Sequence, residues 1–160
     1  MLCKLNNTPF DNSVLSASLH DIRRKGDKGD ERHGERAANW FKLNYNNLIG
    51  TMQDPVNFDE DLIYQGIKYH DIPEKDIPKN IYKNNETIIN ILKAADALDR
   101  FRLPLKRWWP NPEFINLNDI DKFFPVSKYF VYLSEFFYVG QQMSQVDSVF
   151  KASNLIGLTK

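Results

Sequence analysis

Ile88, Ile91, Leu92, Ala95 and Leu98 recur at the three- and four-residue steps of a helix, and no stretch of this 160-residue chain alternates apolar and polar residues as a half-buried strand does. Val14, Leu15, Ala17, Leu19 and Ile22 follow the same steps, with Asp11, Asn12 and Ser13 as candidate caps. The polar run RRKGDKGDER reads as a solvated loop, and RHGERAANWF opens a second helix that turns Ala37, Trp40 and Phe41 inward. Residues 58–70 form a third, opened by Asn57 and stopped by Pro73, with Leu62, Ile63, Ile67 and Tyr69 on one apolar face. After the connection that contains Pro73 and Pro78, Asn84 or Asn85 starts the helix that carries Asp96 and ends before Pro104. RLPLKRWWPNPEF reads as a loop pinned by Trp108 and Trp109, and a last long helix runs from near Pro125 to about Asn154, bent at Gly140. The expectation is an all-α, bundle-like domain of five or six helices over residues 1–160.

Lys plus Arg and Asp plus Glu balance at 21 each, so no overall field draws in nucleic acid or an anionic membrane. An anionic ligand must be recognised by a local cluster. The single cysteine, Cys3, has no partner for an internal disulfide, which favours a cytoplasmic setting. The N-terminus lacks the apolar core of a signal peptide. The most apolar run, residues 129–139, includes Ser134 and Glu135 and is far shorter than the roughly 20 residues of a spanning helix, so it is expected to be a core helix.

All three histidines lie in short phrases with a nearby carboxylate: LHDIRR, RHGERAA and KYHDIP. Neighbouring side chains do not share a helix face, but at a helix end a histidine and the following aspartate can both reach one ion, and imidazole with carboxylate suits divalent Mn, Fe, Ni, Co, Zn or Mg. Asp96 stands among Ile91, Leu92, Ala94, Ala95 and Leu98, where a carboxylate needs a partner. Arg23, Arg24, Lys25, Lys28, Arg36, Arg100 and Arg102 supply positive charge, and a guanidinium fork at Arg23 or Arg36 matches phosphate oxygens best.

The order LHDI, HGERAA, KYHD, ILKAADALDR over about residues 12–105 resembles the HD-domain superfamily of metal-dependent phosphohydrolases, in its bacterial branch, with about residues 106–160 as a helical extension. The resemblance implies an all-α fold. It implies that His20 and Asp21 bind the metal, that Asp96 closes the site, and that His33 and His70 are further ligands or contact the substrate phosphate. The chain departs from the family pattern in two places: residues 1–19 contain no histidine to match the family's upstream ligand, and Ala94-Ala95-Asp96 stands where DAD is common.

The expected activity is hydrolysis of a nucleotide or other small phosphate ester by metal-activated water, with Asp21 on the ion and Asp27, Asp30 or Glu31 positioning water or protonating the leaving group. With one imidazole fewer, that activity is expected to depend strongly on added metal. Asp71 and Asp99 are assigned to hydrogen bonds or salt bridges, so Asp71→Ala is expected to leave most activity. A binding or regulatory module that has lost its metal is the alternative; an oxygenase built around two irons ranks below both. No membrane partner is expected.

Overall fold

The computed structural model describes residues 2, 9–26, 29–51 and 57–158, without the side chain of Phe114. Cys3, Asp27 and Lys28 lie outside them. Every regular element among the described residues is helical. The chain divides into two compact units, Leu2–Lys93 and Ala94–Lys160.

The first unit contains α1 (Phe10–Leu19), α2 (His33–Gly50), α3 (Glu60–Tyr69) and most of α4 (Lys79–Asp99). Its main core packs Leu19, Ala37, Ala38, Phe41, Ile63, Ile67 and Leu92 together. A second cluster, Ile77, Ile88 and Ile89, takes Leu62 and Tyr69 from the other side of α3. The apolar residues of α3 therefore serve two clusters rather than one face.

α1 buries Asn12, Ser13, Ser16 and Leu19, whereas Val14 and Ile22 are exposed. Polar residues reach the inner face because each finds a bond close at hand. Ser16 Oγ donates to Asn12 O at 2.8 Å, and Asn12 Oδ1 accepts from Asp59 N at 3.1 Å. The expected caps Asp11, Asn12 and Ser13 thus lie inside the helix, after Pro9 at its N-cap. Asp59, not Asn57, caps α3 by accepting from Leu62 N at 3.0 Å. A Cβ at Gly66 would lie 2.9 Å from Ile88 Cγ1 and 3.6 Å from Ser16 Oγ, so only glycine lets α3 pass this close to α4. α4 begins directly after Pro78, whose carbonyl accepts from Tyr82 N, five residues before the expected start. Asn85 lies within it, its amide donating to Ile81 O.

The second unit follows the end of α4 with short 3₁₀ turns, then α5 (Phe124–Glu135), a π-helical turn (Phe136–Gly140) and α6 (Gln145–Leu155). Leu98, Phe101, Ile120, Phe123, Val131, Phe137 and Ala152 are buried. Trp109 pins the proline-rich loop, donating from Nε1 to Leu103 O and packing on Phe101, while Trp108 is exposed. The expected single last helix is interrupted: the backbone leaves the helical path after Gly140, Gln142 has a φ of 53°, and Ser144 caps a new helix through Asp147 N. Residues 129–139 are not a core helix either. Tyr129, Tyr132, Phe136 and Val139 are exposed, and Val131 and Phe137 are the inward-facing positions. No helix among the described residues is long and apolar enough to cross a membrane.

Candidate metal centre

Four of the five expected metal ligands occupy helix ends of the first unit. His20 is the C-cap of α1 and Asp21 follows it in the turn. His33 is the first residue of α2, and His70 is the C-cap of α3. A histidine just past a helix end can bond from its ring to the carbonyl three residues earlier, which the ladder leaves open. Nδ1 of His20 contacts Ala17 O at 2.6 Å, and Nδ1 of His70 contacts Ile67 O at 2.8 Å. At the start of α2, Nδ1 of His33 meets Asp30 O at 3.0 Å.

A carbonyl only accepts, so in each case the proton resides on Nδ1 and the lone pair of the neutral ring on Nε2. These Nε2 atoms converge. His33 Nε2 and His70 Nε2 are 3.0 Å apart, and the two rings meet edge to face, as do those of His20 and His70. Asp21 Oδ1 lies 3.0 Å from His33 Nε2 and 3.9 Å from His70 Nε2, while Oδ2 is 3.6 Å from His20 Nε2. One ligand atom from each of His20, Asp21 and His70 falls within 4.8 Å of the others. Asp21 Oδ1 is buried and makes no hydrogen bond among the described residues. Lone pairs facing a bare carboxylate oxygen are costly unless a cation joins them. Imidazole nitrogen and carboxylate oxygen are the donors that a borderline divalent ion takes, so this set fits such an ion.

Burial holds His70 below its ordinary value of 6.5; the Ile67 carbonyl and Asp71 oppose that shift, and His20 and His33 add to it. A neutral ring with its lone pair available is the form that ligates metal.

Gly34 allows the rings to meet. A Cβ there would lie 2.5 Å from Ile67 O, 2.8 Å from Asp71 Oδ1 and 2.9 Å from His70 Nδ1, so any other residue would push the start of α2 away from the end of α3. This gives the HG phrase its physical meaning.

Arg24 is the guanidinium that reaches the site, with NH1 2.8 Å from Asp21 Oδ2. Arg23 is exposed. Arg36 is committed to the loop before it, paired with Asp30 and donating to Glu31 O at 3.1 Å. Asp30 is also engaged at its other oxygen, which accepts from Lys25 N at 2.6 Å; that bond and Arg36 hold its carboxyl below the usual 3.8. Both residues therefore clamp the loop that presents His33. Asp27 lies outside the described residues. Asp96 is half-buried on α4 and belongs to the second unit.

Asp71 makes the hydrogen bond and the ion pair that its sequence context assigned to it: its Oδ2 approaches His33 Nδ1 at 3.2 Å and accepts from Gly34 N at 3.3 Å. Its signal was the repetition of a His-Asp pair at a helix end: the first pair turns its carboxylate to the Nε2 atoms, the second to the rear of His33. No family model matches the chain, and no curated protein or solved structure matches it either.

Proposed function

We propose that His20, Asp21, His33 and His70 hold a divalent metal ion and that the chain is an HD-type phosphohydrolase acting on a nucleotide or other small phosphate ester. The observation that carries this reading is the convergence of Nε2 lone pairs on a buried Asp21 oxygen that makes no hydrogen bond among the described residues. An ion bound there supplies Lewis acidity toward a phosphoryl group and makes a nucleophile of water near neutral pH. The chain's own residues do the rest. Carbonyls of Ala17, Asp30 and Ile67 orient the three rings. Arg24 sets a positive fork beside Asp21, where a phosphate oxygen would be received. His33 or His70 joins His20 and Asp21 on the ion and makes up for the missing upstream imidazole.

The deciding experiment measures metal content in protein purified without chelator, together with hydrolysis of nucleotides and aryl phosphates. Hydrolysis that rises with added Mn, Ni or Co and falls with chelator is the expected result. Full activity in metal-free buffer would remove the metal mechanism. Bound metal with no hydrolysis of any phosphate ester would instead favour a binding or regulatory module.

A further inference from the structure

We propose that Asp71 is a positioning residue of this centre, acting through His33: its carboxylate, set behind a ring that the Asp30 carbonyl orients, strengthens that ring as a ligand. The proposal rests on the metal-centre reading above. The Asp71 side chain is only 9% exposed. Its Oδ2 serves two neighbours at once, His33 Nδ1 at 3.2 Å and Gly34 N at 3.3 Å. Ring and helix start are thereby held to the same atom. α2 has no cap of its own, because Arg32 at its N-cap adopts a left-handed conformation (φ 56°) and offers no side-chain bond. Asp71 fills that vacancy from just beyond the end of α3, and a carboxylate suits the positive end of a helix.

Capping alone does not explain a buried charge. Asn or Ser caps a helix as well as Asp does, without the cost of desolvating a carboxylate. Here Oδ1 is buried without a hydrogen bond, against Gly34. A negative charge is useful opposite a ring that becomes more positive, as His33 does when its Nε2 binds a cation and its Nδ1–H becomes a stronger donor. The Asp30 carbonyl shares that Nδ1 but carries no charge. Asp71→Ala is therefore expected to weaken the centre, contrary to the expectation from sequence.

The test is calorimetric titration of Mn²⁺ or Co²⁺ into the full chain and its Asp71→Asn, Asp71→Ala, His33→Ala and doubly substituted Asp71→Ala/His33→Ala forms, with imidazole ¹⁵N spectra of the metal-free proteins. Asp71→Ala should lower affinity about 10- to 100-fold. Asp71→Asn retains an acceptor for Gly34 N and should lose less. In the His33→Ala background, removing Asp71 should change affinity less than about twofold, because the two act as one unit. An equal drop in both backgrounds would reduce Asp71 to a helix cap, and unchanged affinity in Asp71→Ala would overturn the proposal. If even the wild-type chain binds no ion, the metal reading fails, but the spectra still decide the role of Asp71. His33 should stay protonated at Nδ1 in both forms, held by the Asp30 carbonyl, while its Nδ1 resonance shifts in Asp71→Ala as the facing carboxylate is lost; an unchanged His33 Nδ1 resonance would overturn the proposal. Should Asp71→Ala not fold, Asp71→Asn carries the same comparison through loss of charge alone.

Discussion

His33 Nε2 and His70 Nε2 face each other at 3.0 Å while the Nδ1 of each ring is turned to a backbone carbonyl. Two neutral rings so arranged have no proton to share. The contact favours either a cation or an extra proton, and burial of His70 works against the proton. The first prediction tests the proposed cation between the start of α2 and the end of α3. Adding Mn²⁺ or Co²⁺ at about a hundred times its dissociation constant should stabilise the fold by about 2.7 kcal/mol. For a chain of this size that is roughly 5–10 °C in Tm. Chelator should reverse the shift, and His70→Ala should abolish it. A Tm indifferent to every divalent metal tried would count against the centre.

Gly34→Ala forces a Cβ to within 2.5 Å of Ile67 O. Overpacking of this kind should destabilise the metal-free fold by about 1–3 kcal/mol and weaken metal binding with it. Gly26→Ala is the control, since nothing among the described residues lies within 4 Å of a Cβ there, and its stability should stay within about 0.5 kcal/mol of wild type. Denaturant unfolding of both forms checks this.

The depressed pKa of His70 fixes the direction of a pH effect. The unfolded ring takes up its proton near 6.5, the folded ring only at lower pH, so the unfolded state binds more protons in between. This contribution to stability is complete above pH 6.5 and is lost as pH falls from there through the folded value. Melting of metal-free protein across pH 7.5 to 5 should show the decline, and His70→Asn should flatten it. A slope unchanged by that substitution would assign the effect to other groups.

Arg24 and Arg23 should separate in kinetics. Because Arg24 touches Asp21 Oδ2, Arg24→Ala should reduce kcat/KM for a phosphate ester about 10- to 100-fold, the loss of one charge-assisted contact of roughly 1.5–3 kcal/mol. Arg23→Ala should stay within about twofold. Metal titration of both variants guards against loss of the ion, and equal losses from both would remove Arg24 from the site.

The sequence by itself determined the helices, because apolar spacing such as that of Ile88, Ile91 and Leu92 is a local property, and it singled out His20, Asp21, His33 and His70, because their phrases place them at helix ends. It did not determine which side chains face inward along α1, since the burial of Ser16 and Asn12 depends on acceptors and donors supplied by the fold, Asp59 N among them. The break in the last helix depended on a π turn and the left-handed Gln142, which apolar spacing does not encode. Only tertiary structure separated two identical dipeptides. His20-Asp21 and His70-Asp71 are indistinguishable as text. The end of α1 places the Asp21 carboxylate at the front of His33, near Nε2, and the close approach of α2 to α3 at Gly34 places the Asp71 carboxylate behind it, at Nδ1. Which nitrogen of a ring a carboxylate reaches is settled by the relative placement of different helices, and no local pattern carries that information.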